Sequence, residues 1–410
     1  MNVIDTVGRA KSASIGAPGI EPATLGESPI ARMRRVVEIA ARTADAVDRD
    51  NAFPAETIAA LKRERLVAVA IPEELGGEGL GTAEVAELIV ELGHACGSSA
   101  MIYAMHQIQV SSLTSHGISS QWHRTFMKRV ADEQLLLASA TTEAGIGGNL
   151  RNSICAVEVE GGRFRLAKDA TVISYGEYSD AIMVTSRRAP DAPSNDQVMT
   201  VVPTAACTLD KTHVWDTLGM RGTCSDGFRL SAEGDAAQIF PKPFSEIAAQ
   251  SMLAASHIFW SATWFGIAAD AFARAQAFVK AAARKQPDVT PPGALRLAEC
   301  AVKLQEMKGG IVAAIRRFDA ARKDDDVLSS IGFAAEINAL KVASSEKAAE
   351  IVRLAMLITG IMGYKNGTPF SVGRHLRDVT SAAVMISNDR ILSNTATLLL
   401  MSRFDTSLGG

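Results

Sequence analysis

Two kinds of apolar periodicity divide this chain, and their order constrains the fold more than any single motif. Apolar residues recur at helical spacing from Ser28 to Glu133, alternate with polar ones between Leu135 and about Ile239, then return to helical spacing from Phe244 onward. The order predicts a multidomain α+β protein. Its parts are an N-terminal all-α domain over 28–134, a middle β-barrel or sandwich domain over 135–240, and a C-terminal helical bundle over 241–410. Residues 1–27 mix Gly, Pro and Ser without period and are expected to form a flexible N-terminal arm.

Within the first segment, Ile30, Met33, Val36, Val37, Ile39, Ala40 and Ala44 make one stripe, with Arg32, Arg34, Arg35 and Glu38 off it. The glycine-rich loop I-P-E-E-L-G-G-E-G over 71–79 fails as a nucleotide fingerprint, because its spacing does not complete G-x-G-x-x-G and no strand precedes it. In the middle segment, A-V-E-V-E-G-G-R-F-R-L over 156–166 reads as a hairpin with Gly161-Gly162 at the tip, and further strands start at Ala181 and Gln197. Alanine-dense helices are expected over 246–283, 294–323, 329–359 and 380–403. Apolar faces this extensive predict a homodimer or homotetramer.

Composition narrows the functional classes. A net charge of -3 with interspersed signs offers nothing to a phosphate backbone, so nucleic acid is not expected as a partner. Cys96, Cys155, Cys207, Cys224 and Cys300 are scattered and never in a C-x-x-C spacing, which predicts reduced packing residues and no metal site. The chain has no apolar run of about 18 residues and no secretory apolar stretch, so neither membrane nor export is expected and the predicted location is cytoplasmic.

The chemistry-bearing segment is L-L-A-S-A-T-T-E-A-G-I-G-G-N over 136–149. A short apolar run there ends in hydroxyls, an acid and a glycine-rich turn, which is how a sheet edge meets a flat cofactor. With I-P-E-E-L-G-G-E-G, T-E-A-G-I-G-G-N over 142–149, L-G-M-R-G-T-C over 218–224 and the G-Y and R-D elements between Gly360 and Asp378, the chain resembles the acyl-CoA dehydrogenase family from about Ser28 to Leu400. The resemblance implies a helical domain, a β-barrel-like middle domain, a C-terminal four-helix bundle, and FAD lying between barrel and bundle. It places Thr141, Thr142, Gly147, Gly148, Val172, Ser174, Gly360 and Asn388 at cofactor-binding positions, with Ser174 where a family threonine bonds flavin N5. Leu357 stands where the bundle often has glutamine, and A-A-A-R-K-Q-P-D-V-T-P-P over 281–292 replaces the usual R-x-x-F-G, leaving Arg284 or Lys285 to compensate.

The resemblance further implies dehydrogenation of the CH–CH bond of an acyl-CoA or acyl-carrier thioester, where a glutamate takes the α-proton while hydride leaves to flavin N5. Counting from Arg377-Asp378 puts that glutamate at Ile386, which cannot accept a proton. The alternative base position falls at Ser256, beside His257. Three outcomes follow: another base acts, with Asp389, His257 and His106 as candidates; the scaffold serves a two-component flavin monooxygenase; or it serves a non-catalytic role. Arg377 and Asp378 themselves read as a structural ion pair between bundle helices. The electron acceptor, or a flavin reductase, is not specified by the sequence.

Overall fold

The structure, a computed structural model, describes residues 26–147, 149–401, 403, 406 and 407. The expected arm over 1–27, apart from Gly26 and Glu27, lies outside the described residues, and so does Gly148. The N-terminal part is helical: α1 (Pro29–Asp50), α2 (Ala55–Arg63), α3 (Thr82–Ala95), α4 (Gly97–His116) and α5 (Gln121–Glu133). Proline opens α1, where its missing N–H costs no bond, and Asn51 ends it in the left-handed region. The stripe of Met33, Val36, Ala40 and Ala44 is buried as expected.

Arg32 corrects the sequence reading. It is 1% exposed, on the inward face, because its guanidinium donates to Glu64 O at 2.7 Å and to both Glu78 carboxylate oxygens at 2.6 Å. A buried charge needs such partners. The glycine-rich loop that supplies Glu78 is thereby stapled to α1.

The middle part carries β1 (Leu137–Ala140), β2 (Val157–Glu160), β3 (Arg163–Ser174), β4 (Ala181–Arg187), β5 (Gln197–Pro203), β6 (Cys207–His213) and β7 (Ser225–Asp235). One sheet has the order β1-β4-β5 and the other β2-β3-β7-β6. Among the strand pairs of the described residues, only β1 and β4 run parallel. The predicted hairpin is present, with Gly161 and Gly162 at φ 58 and 77. L-G-M-R-G-T-C is not a strand: Met220 and Cys224 take φ 52 and 43, and a single 3-10 turn lies between them before β7 begins.

The C-terminal part comprises α6 (Phe244–Ile247), α7 (Leu253–Lys285), α8 (Ala294–Ala321), α9 (Asp325–Leu328), α10 (Ile331–Thr359), α11 (Ile361–Tyr364), α12 (Gly373–Thr380) and α13 (Asn388–Met401). Phe244–Lys285 is continuous through a π-turn, and it is long and apolar enough by composition to cross a membrane. Its most apolar window is 78% buried inside the protein, under α3, α4, α8 and α10. Close packing with α3 comes from two glycines. A Cβ on Gly266 would lie 2.5 Å from Val90 O, and one on Gly93 would lie 3.0 Å from Thr263 O.

Two expectations fail here. The helix predicted over 380–403 is broken, since α12 ends at Thr380 and Ile386 takes φ 54 before α13 starts. Arg377 and Asp378 also look away from each other. Arg377 pairs with Asp48 of α1, while Asp378 accepts a bond from Met220 N at 2.7 Å and Arg374 donates to Ala95 O at 3.1 Å. The short helix α12 therefore bolts the bundle to both other parts. Burial pushes the Asp378 carboxyl up to about 6.

Candidate functional site

The site grows from the end of β1. Thr142 follows that strand, and its hydroxyl donates to Val172 O at 3.0 Å and accepts from Val172 N at 3.3 Å. Val172 lies within the register shift in β3 between Ala170 and Ile173, where a bulge re-aims side chains. Beyond the bulge Ile173 is fully buried, so Val172 and Ser174, both half-buried, face the other side together. The structure thus brings Thr142, Val172 and Ser174 to one edge of the middle domain, and Thr141, half-buried, precedes Thr142 in the chain. Since its hydroxyl is spent on Val172, Thr142 offers a ligand its backbone and methyl group.

Ser174 continues into a line of hydroxyls. Its Oγ lies 2.8 Å from Ser225 Oγ on the paired strand β7, Ser225 Oγ lies 2.9 Å from Thr223 Oγ1, and Thr223 Oγ1 donates to Met220 O at 2.9 Å. Sequence reasoning quoted Thr223 within L-G-M-R-G-T-C without giving it a role, and missed Ser225. Only the pairing of β3 with β7 brings them under Ser174.

Glu143, the acid of the motif, has no free oxygen for chemistry. It accepts from Ser153 Oγ at 2.7 Å, Ile154 N at 3.1 Å and Cys155 N at 2.6 Å, and faces Lys168 Nζ at 3.5 Å. These bonds fold the following turn back on itself. The glycines of that turn, Gly145 and Gly147, have φ 88 and 59. Gly147 O accepts from Arg390 at 2.5 Å, and Arg151 donates to Asn394 Oδ1 at 3.3 Å. The turn is thereby seated on α13.

On the bundle side, Lys341 of α10 organises the segment before α13. Its ammonium donates to Ala382 O at 2.9 Å, Ile386 O at 2.6 Å and Asn388 Oδ1 at 2.8 Å, and lies 5.7 Å from the Trp264 ring centre. Asn388 also donates to Ser345 Oγ at 3.0 Å, so its oxygen and one of its two N–H groups are engaged by α10. Gly360 caps the same helix 15 residues beyond Ser345, a rise of about 22 Å. The structure therefore separates Gly360 from Asn388.

Among the candidate bases, His106 bridges α4 and β1. Its Nε2 donates to Val67 O at 2.8 Å and its Nδ1 accepts from Leu137 N at 2.9 Å. Both ring nitrogens are consumed, and burial pushes its pKa down to about 4. His257 is held by Ile337 O at 3.0 Å, and burial lowers it to about 4 as well. Burial keeps both neutral, His106 tying α4 to β1 and His257 tying α7 to α10, which counts against their placement among the bases. Asp389 is exposed in the first turn of α13. Leu357, Arg284 and Lys285 are also exposed.

The donor set fits a flavin edge. A hydroxyl oxygen at Ser174 and an apolar wall at Val172 share one face, and a Cβ added to Gly147 would meet open space. Thr142, Val172 and Ser174 would hold the ring system.

Comparison with known proteins bears on the same parts. The family model for the N-terminal domain of acyl-CoA dehydrogenase matches residues 30–134, and the model for its C-terminal domain matches residues 247–391. Human mitochondrial short-chain specific acyl-CoA dehydrogenase is 25% identical over 343 residues, covering 81% of this chain and 79% of that one. Acryloyl-CoA reductase (NADH) of Anaerotignum propionicum is 33% identical over 106 residues, 26% of this chain and 27% of that one. Several curated relatives are matched over only 27% to 48% of their own length. FMN-bound TdsC from Paenibacillus sp. A11-2, a dibenzothiophene monooxygenase, superposes with a TM-score of 0.79 at 16% identity, covering 92% of this chain and 98% of that one.

Proposed function

We infer, since the chain belongs to the acyl-CoA dehydrogenase family, that it is an FAD-dependent oxidoreductase acting on the CH–CH bond of an acyl thioester. One observation carries the reading: Val172 and Ser174 stand on one face of β3, beside Thr142, with a hydroxyl oxygen presented next to an apolar wall. A bound flavin supplies a two-electron acceptor at N5. Ser174 would offer its hydroxyl to the ring system, and Val172 would shield it from water. Lys341 holds the segment containing Ile386 in place on the bundle side.

A second reading is favoured by residue 386 itself. Its isoleucine removes the carboxylate that the family uses for α-proton abstraction, and both ring nitrogens of His106 are taken by Val67 O and Leu137 N. On that reading the scaffold serves a flavin-dependent monooxygenase, for which no α-proton need be removed. We place the protein in the cytoplasm as a homotetramer or homodimer. The exposed Leu392, Leu399, Leu400 and Met401 of α13 support an assembly that covers them.

Anaerobic titration of the FAD-loaded protein with acyl-CoA and acyl-carrier thioesters tests the first reading, which expects bleaching of the oxidised flavin band. Failure to bleach across the panel, with oxygenated product formed from reduced flavin and oxygen, replaces it with the second. Light scattering of the purified protein reports the assembly.

A further inference from the structure

We propose that the side of α7 carrying Trp260, Ser261 and Trp264, with Lys341 of α10 against it, binds an oxyanion, a carboxylate or sulfonate group borne by the substrate. That the oxyanion belongs to the substrate rests on the enzyme reading above, whereas the site does not.

Two independent observations point to a ligand there. Among the described residues, Trp260 Nε1, Ser261 Oγ and Trp264 Nε1 are buried without a hydrogen-bond partner, in side chains of residues 9%, 0% and 0% exposed. A buried polar group left unpaired costs about 1–3 kcal/mol, and a buried tryptophan N–H ordinarily finds a partner. An indole N–H donates and never accepts. The partner that belongs there is therefore an acceptor.

The second observation is a charge without a counter-charge. Lys341 is fully buried and makes no ion pair among the described residues. Its ammonium lies 5.7 Å from the Trp264 ring centre, and its hydrogens go to the neutral oxygens Ala382 O, Ile386 O and Asn388 Oδ1. Those bonds solvate the charge without cancelling it. Burial lowers the His257 pKa and the charge of Lys341 lowers it further, while the His257 ring lies 5.9 Å from that of Trp260. The field of the lysine thus covers the whole row from 257 to 264. Water would satisfy the indoles and leave the charge, whereas an oxyanion answers both.

The row also has a place relative to the candidate flavin edge. Lys341 holds the segment 382–388 from the bundle side, and just beyond it Arg390 donates to Gly147 O of the turn after β1. The donors therefore lie behind the segment that seats this turn. A substrate is expected to turn its anionic end toward α7.

The test is tryptophan fluorescence of the purified protein at constant ionic strength, titrated with propionate, methanesulfonate and neutral propionamide. A saturable change is expected with the oxyanions, at about tenfold or more lower concentration than with propionamide. Trp260→Phe and Trp264→Phe keep an aromatic ring and remove the N–H, and each is expected to weaken oxyanion binding about tenfold. Trp122→Phe, on α5, is expected to leave it unchanged. No saturable response to either oxyanion, an equal response to propionamide, or unchanged affinity in both Trp260→Phe and Trp264→Phe would overturn the site; the first two need no variant to fold. Thioesters ending in a carboxylate are expected to bleach bound FAD at about tenfold lower concentration than equal-length ones without it. Bleaching without that preference overturns the assignment of the oxyanion to the substrate, and oxyanion binding with no bleaching overturns the enzyme reading and keeps the site.

Discussion

The ammonium of Lys341 donates to the carbonyl oxygen of Ile386 at 2.6 Å, across 45 positions of sequence. Ile386 is β-branched and sits at φ 54, a conformation that costs about 1–2 kcal/mol in a non-glycine residue. Lys341 is fully buried, and its three hydrogens meet Ala382 O, Ile386 O and Asn388 Oδ1. No ion pair to Lys341 occurs among the described residues, and burial alone lowers its pKa to about 8. The lysine is the group that holds the strained residue in place.

Lys341→Met is accordingly expected to destabilise the fold by about 3 kcal/mol, because it leaves buried carbonyl groups unpaired. Ile386→Gly relieves the left-handed strain, so the double variant should lose less than the sum of the two single losses. Denaturant unfolding of the three variants measures this. Strict additivity would show that lysine and strain are independent.

Stability is expected to fall with acid below neutrality. His106 and His257 sit at about 4 in the folded state against an ordinary 6.5. Between those values the unfolded chain binds more protons, so stability is full above pH 6.5 and declines as pH falls toward 4. Each histidine contributes a slope of up to about 1.4 kcal/mol per pH unit. His106→Gln and His257→Asn should each flatten the unfolding free energy plotted against pH, whatever their cost at pH 8. A slope unchanged in both variants would assign the acid sensitivity elsewhere.

Gly219 is where the turn before β7 touches α12. A Cβ there would lie 2.2 Å from Arg377 O, which is backbone and cannot swing aside. Gly219→Ala is expected to cost about 3 kcal/mol through overpacking, and to weaken flavin retention by wedging bundle from sheet. Thermal unfolding and the ratio of flavin to protein absorbance check the two parts separately. An unshifted melting temperature would show that the two segments slide apart at little cost.

The division into helical, strand and helical parts was readable because periodicity is local: a stripe such as Met33, Val36, Ala40 declares its own face. The same locality made Thr142 findable at the edge of its motif, whereas Ser174 was reached only through the family resemblance. Lys341 was not findable. In A-L-K-V-A-S-S-E it reads as a solvent-facing charge, and what draws it inward is a set of acceptors supplied 41 to 47 residues later. Arg32 was misread for the same reason, because Glu78 lies 46 residues away. Ser225 and Thr223 became part of the site only through the register of β3 against β7.

Ile386→Glu asks whether the missing carboxylate alone separates this protein from acyl thioester dehydrogenation. The backbone position is preserved by Lys341, and glutamate, unbranched at Cβ, bears φ 54 with less strain than isoleucine. A carboxylate at that position supplies general base catalysis worth about 100-fold or more. Anaerobic stopped-flow mixing of FAD-loaded variant with acyl-CoA thioesters is therefore expected to show flavin bleaching at least about tenfold faster than the parent. If parent and variant bleach at the same rate, another residue already takes the proton. If neither bleaches while reduced flavin and oxygen give oxygenated product in both, the isoleucine marks the monooxygenase reading.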